Sequence, residues 1–199
     1  MRKALNHLKK VDPTLAAIIE RVGPYRINYD EPAFASLAEA IVYQQLHGKA
    51  AATIFNRLTD LAGLPLTPQG ILKLSEEQLR AAGLSKQKSS YLRDLATKTQ
   101  SGEVQFARLP NLPDEEVIEE LTKIKGIGVW TAHMFLMFSL RRANILPTGD
   151  LGIQMAMRKH YRKRKLPKPV QMEKIAKCWE PYRSVACWYL WRSLDIKTP

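Results

Sequence analysis

The stretch Leu121–Leu151, LTKIKGIGVWTAHMFLMFSLRRANILPTGDL, carries the signals from which the fold is read. A helical run stops at Gly126-Ile-Gly128, and a strongly apolar helical run restarts at once and continues through Leu140. Glycine tolerates positive φ and lets another backbone come close, so the pattern predicts a tight helical hairpin. The second helix begins with N–H groups that lack intrahelical partners, an arrangement able to hold a phosphate. Contacts of that kind position a nucleic acid without reading its bases. A plain helix–turn–helix corner in a core would show the same Gly-x-Gly, so the motif alone leaves both readings open.

Outward from the hairpin the chain stays helical. Pro32–Leu61 gives a long pattern with apolar Leu37, Ile41, Val42, Ile54 and Leu58, interrupted at Gly48. Ser75-Glu-Glu-Gln78 reads as a capping box opening a short helix that stops at Gly83, and Ser85 caps the next. Pro113 or Asp114 starts the helix that carries Val117, Ile118 and Leu121 into the hairpin. Beyond Pro147-Thr-Gly149 a helix resumes over Leu151–Tyr161, followed by Val170–Lys177 and Pro181–Ser193. Strand-like alternation is confined to a short extended piece around Tyr25–Tyr29. The class is all-α, and a helical chain of this size forms two lobes with a cleft between them. Pro65–Pro68 and Leu109–Pro113 are the expected crossing points.

The 199 residues contain 31 Lys plus Arg against 19 Asp plus Glu, a net charge of +12. That balance suits a polyanionic partner. Arg158–Lys168, RKHYRKRKLPK, has seven basic residues and no acid, whereas Pro113–Glu120 has five acids and no base. The basic run is either a solvated face or a phosphate contact whose affinity would fall steeply with salt. It has no apolar helical stripe beside it, which argues against a membrane surface. Met1–Lys10 lacks the apolar core of a signal peptide, so the expectation is an intracellular chain. It would be cytoplasmic, at the nucleoid, in a prokaryote and nuclear in a eukaryote. Two cysteines, Cys178 and Cys187, are too few for a disulfide framework or a four-cysteine iron–sulfur cluster. His7, His133 and His160 show no metal-ligand spacing.

Taken with the residues around it, the hairpin segment resembles the helix–hairpin–helix superfamily of base-excision DNA glycosylases. In that superfamily the hairpin is followed, some twenty residues on, by a Gly/Pro-rich loop and an essential aspartate. Gly126-Ile-Gly128 matches the hairpin, and Asp150, within Leu146-Pro-Thr-Gly-Asp-Leu-Gly152, matches the aspartate. Ile41-Val-Tyr-Gln-Gln-Leu-His-Gly-Lys-Ala-Ala51 is similar to the DNA-probing loop of one branch, the 3-methyladenine DNA glycosylase II family. Trp179-Glu-Pro-Tyr-Arg-Ser-Val-Ala-Cys-Trp-Tyr-Leu-Trp191 is similar to its C-terminal signature. The match runs from about Ala35 to Arg192 with the motifs in order. The resemblance implies one glycosylase unit over residues 1–199. One lobe would span about 35–110, residues 111–165 would carry the hairpin and the aspartate, and 166–199 would pack back on the core. It also implies no additional β-rich domain ahead of the core.

The implied activity is monofunctional hydrolysis of the N-glycosidic bond of alkylated purines flipped out of duplex DNA. Asp150 would be the catalytic carboxylate, although Asp after Thr-Gly is also a favoured helix N-cap, and one side chain can do both. Trp130 stands where bifunctional relatives carry a lysine for Schiff-base chemistry, so no strand cleavage is expected. Trp130 and Trp191 match pocket aromatics that would favour a cationic base; a place in the core is the other reading for each. Met134 stands where some relatives have a further aromatic. Gln45 and Leu46 match the residues that fill the gap left by the flipped base, with His47 at the minor-groove edges and Tyr43 replacing a common glycine. Lys125, Gly126 and Gly128 would grip phosphate, Lys125 replacing the usual proline. The carbonyls of Thr122, Ile124 and Ile127 would hold a structural Na+ or K+, and no other cofactor is required. Arg183 is read as fixing helix packing or the neighbourhood of Asp150. The partner is duplex DNA, not a membrane, and the chain is expected to be a monomer. Two alternatives compete: a non-catalytic helix–hairpin–helix DNA-binding module, and a glycosylase/lyase acting on oxidised bases.

Overall fold

The computed structural model describes residues 1–195, and every regular element among them is helical. The α-helices in chain order are α1 (Arg2–Val11), α2 (Pro13–Val22), α3 (Phe34–Tyr43), α4 (Gly48–Ala62), α5 (Pro68–Lys73) and α6 (Glu76–Ala81). They continue as α7 (Lys86–Gln100), α8 (Asp114–Thr122), α9 (Val129–Phe138), α10 (Leu151–His160), α11 (Pro169–Ala176) and α12 (Arg183–Asp195). None of the helices among these residues is long and apolar enough to cross a membrane.

The chain divides into two compact units. A central unit spans Asp30–Leu140, and a terminal unit joins Met1–Tyr29 to the segment from Arg141 onward. The sequence reading places boundaries at Pro65–Pro68, at 110/111 and at 165/166. The divisions fall at 29/30 and 140/141, so the hairpin and Asp150 belong to different units. The physical reason lies in the first two helices. Leu8 on α1 and Leu15, Ile18 and Ile19 on α2 are buried, α1 packs on α2, and α2 packs on α12. The two ends of the chain therefore share one core, a long-range pairing that local periodicity does not carry. The stretch Tyr25–Tyr29 forms no strand.

In the central unit α7 is the spine, with α3, α5 and α6 packed against it. Its Leu92 and Leu95 are fully buried, each contributing about 1.5–3 kcal/mol by removal from water. The predicted punctuation is present. Ser75 and Gln78 form a reciprocal capping box, with bonds of 3.2 and 2.8 Å. Gly83 takes φ +101° at the end of that helix, and Ser85 accepts from Lys88 N at 3.2 Å to open α7. The helices α8 and α9 pack together as the two arms of the hairpin.

In the terminal unit a buried acid organises the start of the chain. Asp12 is 7% exposed. It caps α2 by accepting from Leu15 N at 2.9 Å, and Pro13 occupies the first helical position, where its missing N–H costs nothing. The Asp12 carboxylate also accepts from Tyr161 OH at 2.7 Å and Trp179 Nε1 at 2.8 Å. One side chain thus ties the α1–α2 corner to the end of α10 and to the 3-10 turn Lys177–Trp179. Burial, and then the bond to Asp12, hold the Tyr161 phenol far above its usual range. Asp12→Ala removes the cap and strands two buried donors, so a loss of about 3 kcal/mol is expected. A fall in urea midpoint without a change in slope is the measurement that checks it.

Candidate active site

The hairpin turn is built around a glycine that nothing else can replace. Gly126 has φ +81°, and a Cβ there would lie 2.1 Å from the Tyr91 ring. The close approach of α7 to the turn therefore requires glycine on two counts, backbone conformation and space. Ile124 and Ile127 on either side are buried and anchor the turn, with Ile127 N donating to Ile124 O at 3.1 Å. From α7, Asp94 accepts from Lys125 N at 2.8 Å and lies 3.8 Å from the Lys125 ammonium. Lys98 donates to Lys123 O and pairs with Asp94 at 3.5 Å. The charge expected to seek phosphate at Lys125 thus already has an acid beside it.

Gly128 differs from Gly126. It caps α9 in extended conformation with no side-chain cap bond, and a Cβ there would meet nothing within 4 Å. No steric demand within the chain explains it, and the first turn of α9 opens outward. Two large apolar side chains sit on that turn, Val129 at 52% and Trp130 at 48% exposure. The rest of α9 is largely core, including Ala132, Phe135, Leu136 and Met137. Large apolar groups exposed together at one end of a buried helix mark a contact surface.

The segment between α3 and α4 approaches the same turn. Gln44 Nε2 donates to Gly126 O at 2.9 Å. Lys88 Nζ donates at 2.6 Å to Val42 O, a carbonyl in the last turn of α3 left without an intrahelical partner. Partial burial pulls the Lys88 ammonium below its usual range. Gln45 then takes φ +57°, a left-handed conformation costing a non-glycine residue on the order of 1 kcal/mol. Gln45, Leu46 and His47 are all exposed, Leu46 at 40%. A cavity of about 650 Å³ in the central unit brings together Gln45, Gly126, Trp130 and Met134, with Tyr43 and Tyr91 also on its wall. Leu46 and His47 do not line it.

In the terminal unit Asp150 is 8% exposed and caps α10. Its Oδ1 accepts from Ile153 N at 2.7 Å and from Trp191 Nε1 at 2.8 Å. The carboxylate is thereby fixed at the N-terminal end of the helix by one main-chain and one indole N–H. Gly152 makes room for this pairing, since a Cβ there would lie 2.9 Å from Trp191 Cδ1 and 3.1 Å from Asp150 Oδ1. The loop before it is held by Gln154 Nε2, which donates to Thr148 O at 2.9 Å. Asp150 also raises the buried Cys187 thiol, although burial is the larger cause. Arg183 bonds Asn144 through Nε, at 2.9 Å to Oδ1, and Glu180 through its guanidinium at 3.4 Å. Of the two roles left open for it, this supports helix packing.

The expected residues therefore fall into two sets, Asp150 with Trp191 in one unit and Gln45, Gly126, Trp130 and Met134 in the other. Sequence reasoning did not find Tyr91, Asp94, Lys88 or Gly152. The first three lie on α7, more than thirty residues from the turn or loop they hold, where no local spacing relates them. Gly152 belongs to the aspartate loop, but nothing nearby in sequence reveals its contact with Trp191.

Residues 38–181 match the family model described as HhH-GPD superfamily base excision DNA repair protein. The chain belongs to this superfamily. Within it, the chain is 38% identical to DNA-3-methyladenine glycosylase 1 of Schizosaccharomyces pombe, over 98% of this chain and 89% of that protein. It is 32% identical to a putative DNA-3-methyladenine glycosylase of Bacillus subtilis, over 98% of this chain and 70% of that one. The solved structure of the S. pombe 3-methyladenine DNA glycosylase in complex with abasic DNA superposes on this HhH-GPD chain with TM-score 0.87. That alignment has 36% identity and covers 99% of this chain and 100% of the other. A DNA-3-methyladenine glycosidase from Bacillus halodurans gives TM-score 0.83 at 38% identity, covering 94% and 86%.

Gly152→Ala is expected to push the indole off Asp150 and to cost about 1–3 kcal/mol by overpacking. Thermal unfolding with a shift in tryptophan emission reads this out, and Gly149→Ala is the matched control because a Cβ at Gly149 would meet nothing within 4 Å.

Proposed function

We propose that this HhH-GPD chain is a monofunctional DNA glycosylase that releases alkylated purines, of 3-methyladenine and 7-methylguanine type, from duplex DNA. The observation that carries the reading is the Asp150 carboxylate, buried and held by Ile153 N and Trp191 Nε1 at the end of α10. Asp12 is a buried cap with an indole donor as well, and what sets Asp150 apart is its place in the loop that follows the hairpin, beside Gly152, which clears space for the indole. The S. pombe relative's complex with abasic DNA supports the same reading, as does the name of the Bacillus relative.

The chemistry follows from charge. As the bond from C1′ of the sugar to the purine lengthens, its electron pair passes to the departing base and the sugar becomes an oxocarbenium ion. Asp150 opposes that positive charge with a carboxylate that needs no reorientation when the charge develops. Water then bonds to C1′ and gives up a proton, for which the same carboxylate is the acceptor. A purine alkylated at N3 or N7 is already cationic, so it leaves without a second acid. Trp130 and Met134 on the wall of the central cavity offer such a base aromatic and polarizable contacts, and Trp191 stands with Asp150 in the terminal unit. Position 130, where bifunctional relatives carry the lysine that forms the imine, holds tryptophan, which supports hydrolysis without strand cleavage.

Gln45, Leu46 and His47 are assigned to the duplex at the point of flipping: their segment is exposed and turned outward by the left-handed Gln45. Lys125, Gly126, Gly128 and the open first turn of α9 are assigned to phosphate. A monovalent cation is assigned to the main-chain oxygens that follow from the end of α8 into the turn. Thr122, Ile124 and Ile127 would supply hard carbonyl ligands, and the ion would add positive charge beside the phosphate. The chain is assigned as a monomer acting on duplex DNA.

Asp150→Asn preserves an acceptor for both Ile153 N and Trp191 Nε1, so the variant is expected to fold and to bind abasic duplex. Release of 3-methyladenine from methylated duplex should fall by about a thousandfold or more, on the order of 4 kcal/mol of transition-state stabilisation. Chromatography of freed bases measures it, and unchanged release would refute the assignment. Borohydride should trap no protein–DNA adduct in the wild-type chain.

A further inference from the structure

The terminal unit carries a second strongly charged feature. A surface groove of about 520 Å³ is lined by Arg158, Lys159, Arg162, Lys163 and Arg164, with Met155 and Leu194 on its floor. All five basic residues are exposed. Among the described residues none of the five forms an ion pair or a side-chain hydrogen bond. The acid-free stretch continues to Met172. Arg158 and Lys159 lie in the last turn of α10, where cations offset the helix dipole. The helix dipole explains two of the charges and not the three that follow. Arg162 takes φ +51°, and Lys163 N folds back to Arg158 O at 2.9 Å, which brings the later cations beside the earlier ones. Five unpaired cations packed around one groove repel one another, and a polyanion relieves that repulsion.

The direction of α10 identifies which polyanion. Asp150 caps the N-terminus of α10, and the groove is at its C-terminal end, ten residues or about 15 Å farther along the axis. If Asp150 meets the lesion sugar, as proposed above, the helix runs away from that nucleotide. The groove then lies at the end of the helix remote from the catalytic carboxylate. We infer that it is a second DNA-binding surface, taking the phosphate backbone of a separate duplex segment. Such a surface lets the protein pass directly from one duplex to another during search. This inference rests on the glycosylase reading for its orientation.

The test uses the full chain, a five-position variant and a three-position variant. In one, Arg158, Lys159, Arg162, Lys163 and Arg164 are all changed to Gln; in the other, the three arginines become Lys. Wild-type protein bound to a labelled abasic duplex is challenged with increasing unlabelled undamaged duplex. Direct transfer makes the departure rate rise with competitor concentration. The Gln variant is expected to lose that dependence by roughly tenfold, and the Lys variant, which keeps the charge, to retain it. Base release at saturating short lesion duplex and its salt dependence should be unchanged in both. Unchanged transfer in the Gln variant overturns the inference and returns the run to a solvated face. A parallel fall in the salt slope for the short lesion duplex also overturns it, because the groove would then hold the lesion strand's own flanks. Transfer needs no chemistry, so a chain that transfers but frees no base would refute the glycosylase reading by a separate result.

Discussion

A carboxylate withdrawn from water must be met by donors, and at Asp150 those donors also fix where it points. The N–H of Ile153 and the indole N–H of Trp191 converge on one oxygen. A side chain at Gly152 would crowd both the indole and that oxygen. Burying a polar group without such partners costs several kcal/mol. The C-terminal helix that supplies Trp191 is thus part of the acid's setting, and α12 in turn is held by α2 and α10. The start of the chain, through α2, supports the helix that completes the aspartate's surroundings.

The central unit shows the same economy with different chemistry. The α7 helix serves as the spine of the core and also presents Tyr91, Asp94 and Lys98 to the hairpin and Lys88 to the end of α3. Packing rigidity passes directly to the turn and the neighbouring loop because the same helix that buries Leu92 and Leu95 carries these contacts. Gln44 then closes the link between loop and turn through the carbonyl of Gly126. The strained backbone at Gln45 is held between these fixed points, as expected where surrounding structure over-determines a local conformation.

Two acids in this chain perform the same local task and differ in what surrounds them. Asp12 and Asp150 both cap a helix, both are buried, and both accept from an indole N–H. Asp12 also accepts from Tyr161 and sits where it joins three segments of core. Asp150 lies in a loop next to a glycine that clears space for a ring. Capping chemistry alone therefore does not separate a structural acid from a candidate catalytic one; the neighbouring backbone and the family motif do.

Much was legible in the sequence where the determining forces are local. Helical periodicity, the Ser75–Gln78 box, the Ser85 cap, the stops at Gly83 and Gly126, and Asp150 as a cap all involve residues within four positions of one another. Hydrogen bonds and dihedral preferences at that range are set by the sequence itself. The division of the chain into units was decided only by the tertiary structure, because α2 reaches its partner α12 across most of the chain length. The setting of the candidate site was decided there too. Tyr91 makes Gly126 obligatory, Lys88 and Gln44 hold the loop, and Trp191 and Gly152 hold the acid. Each of these is a contact between residues whose separation along the chain carries no periodic signal, formed only when burial of the apolar faces brings the helices together.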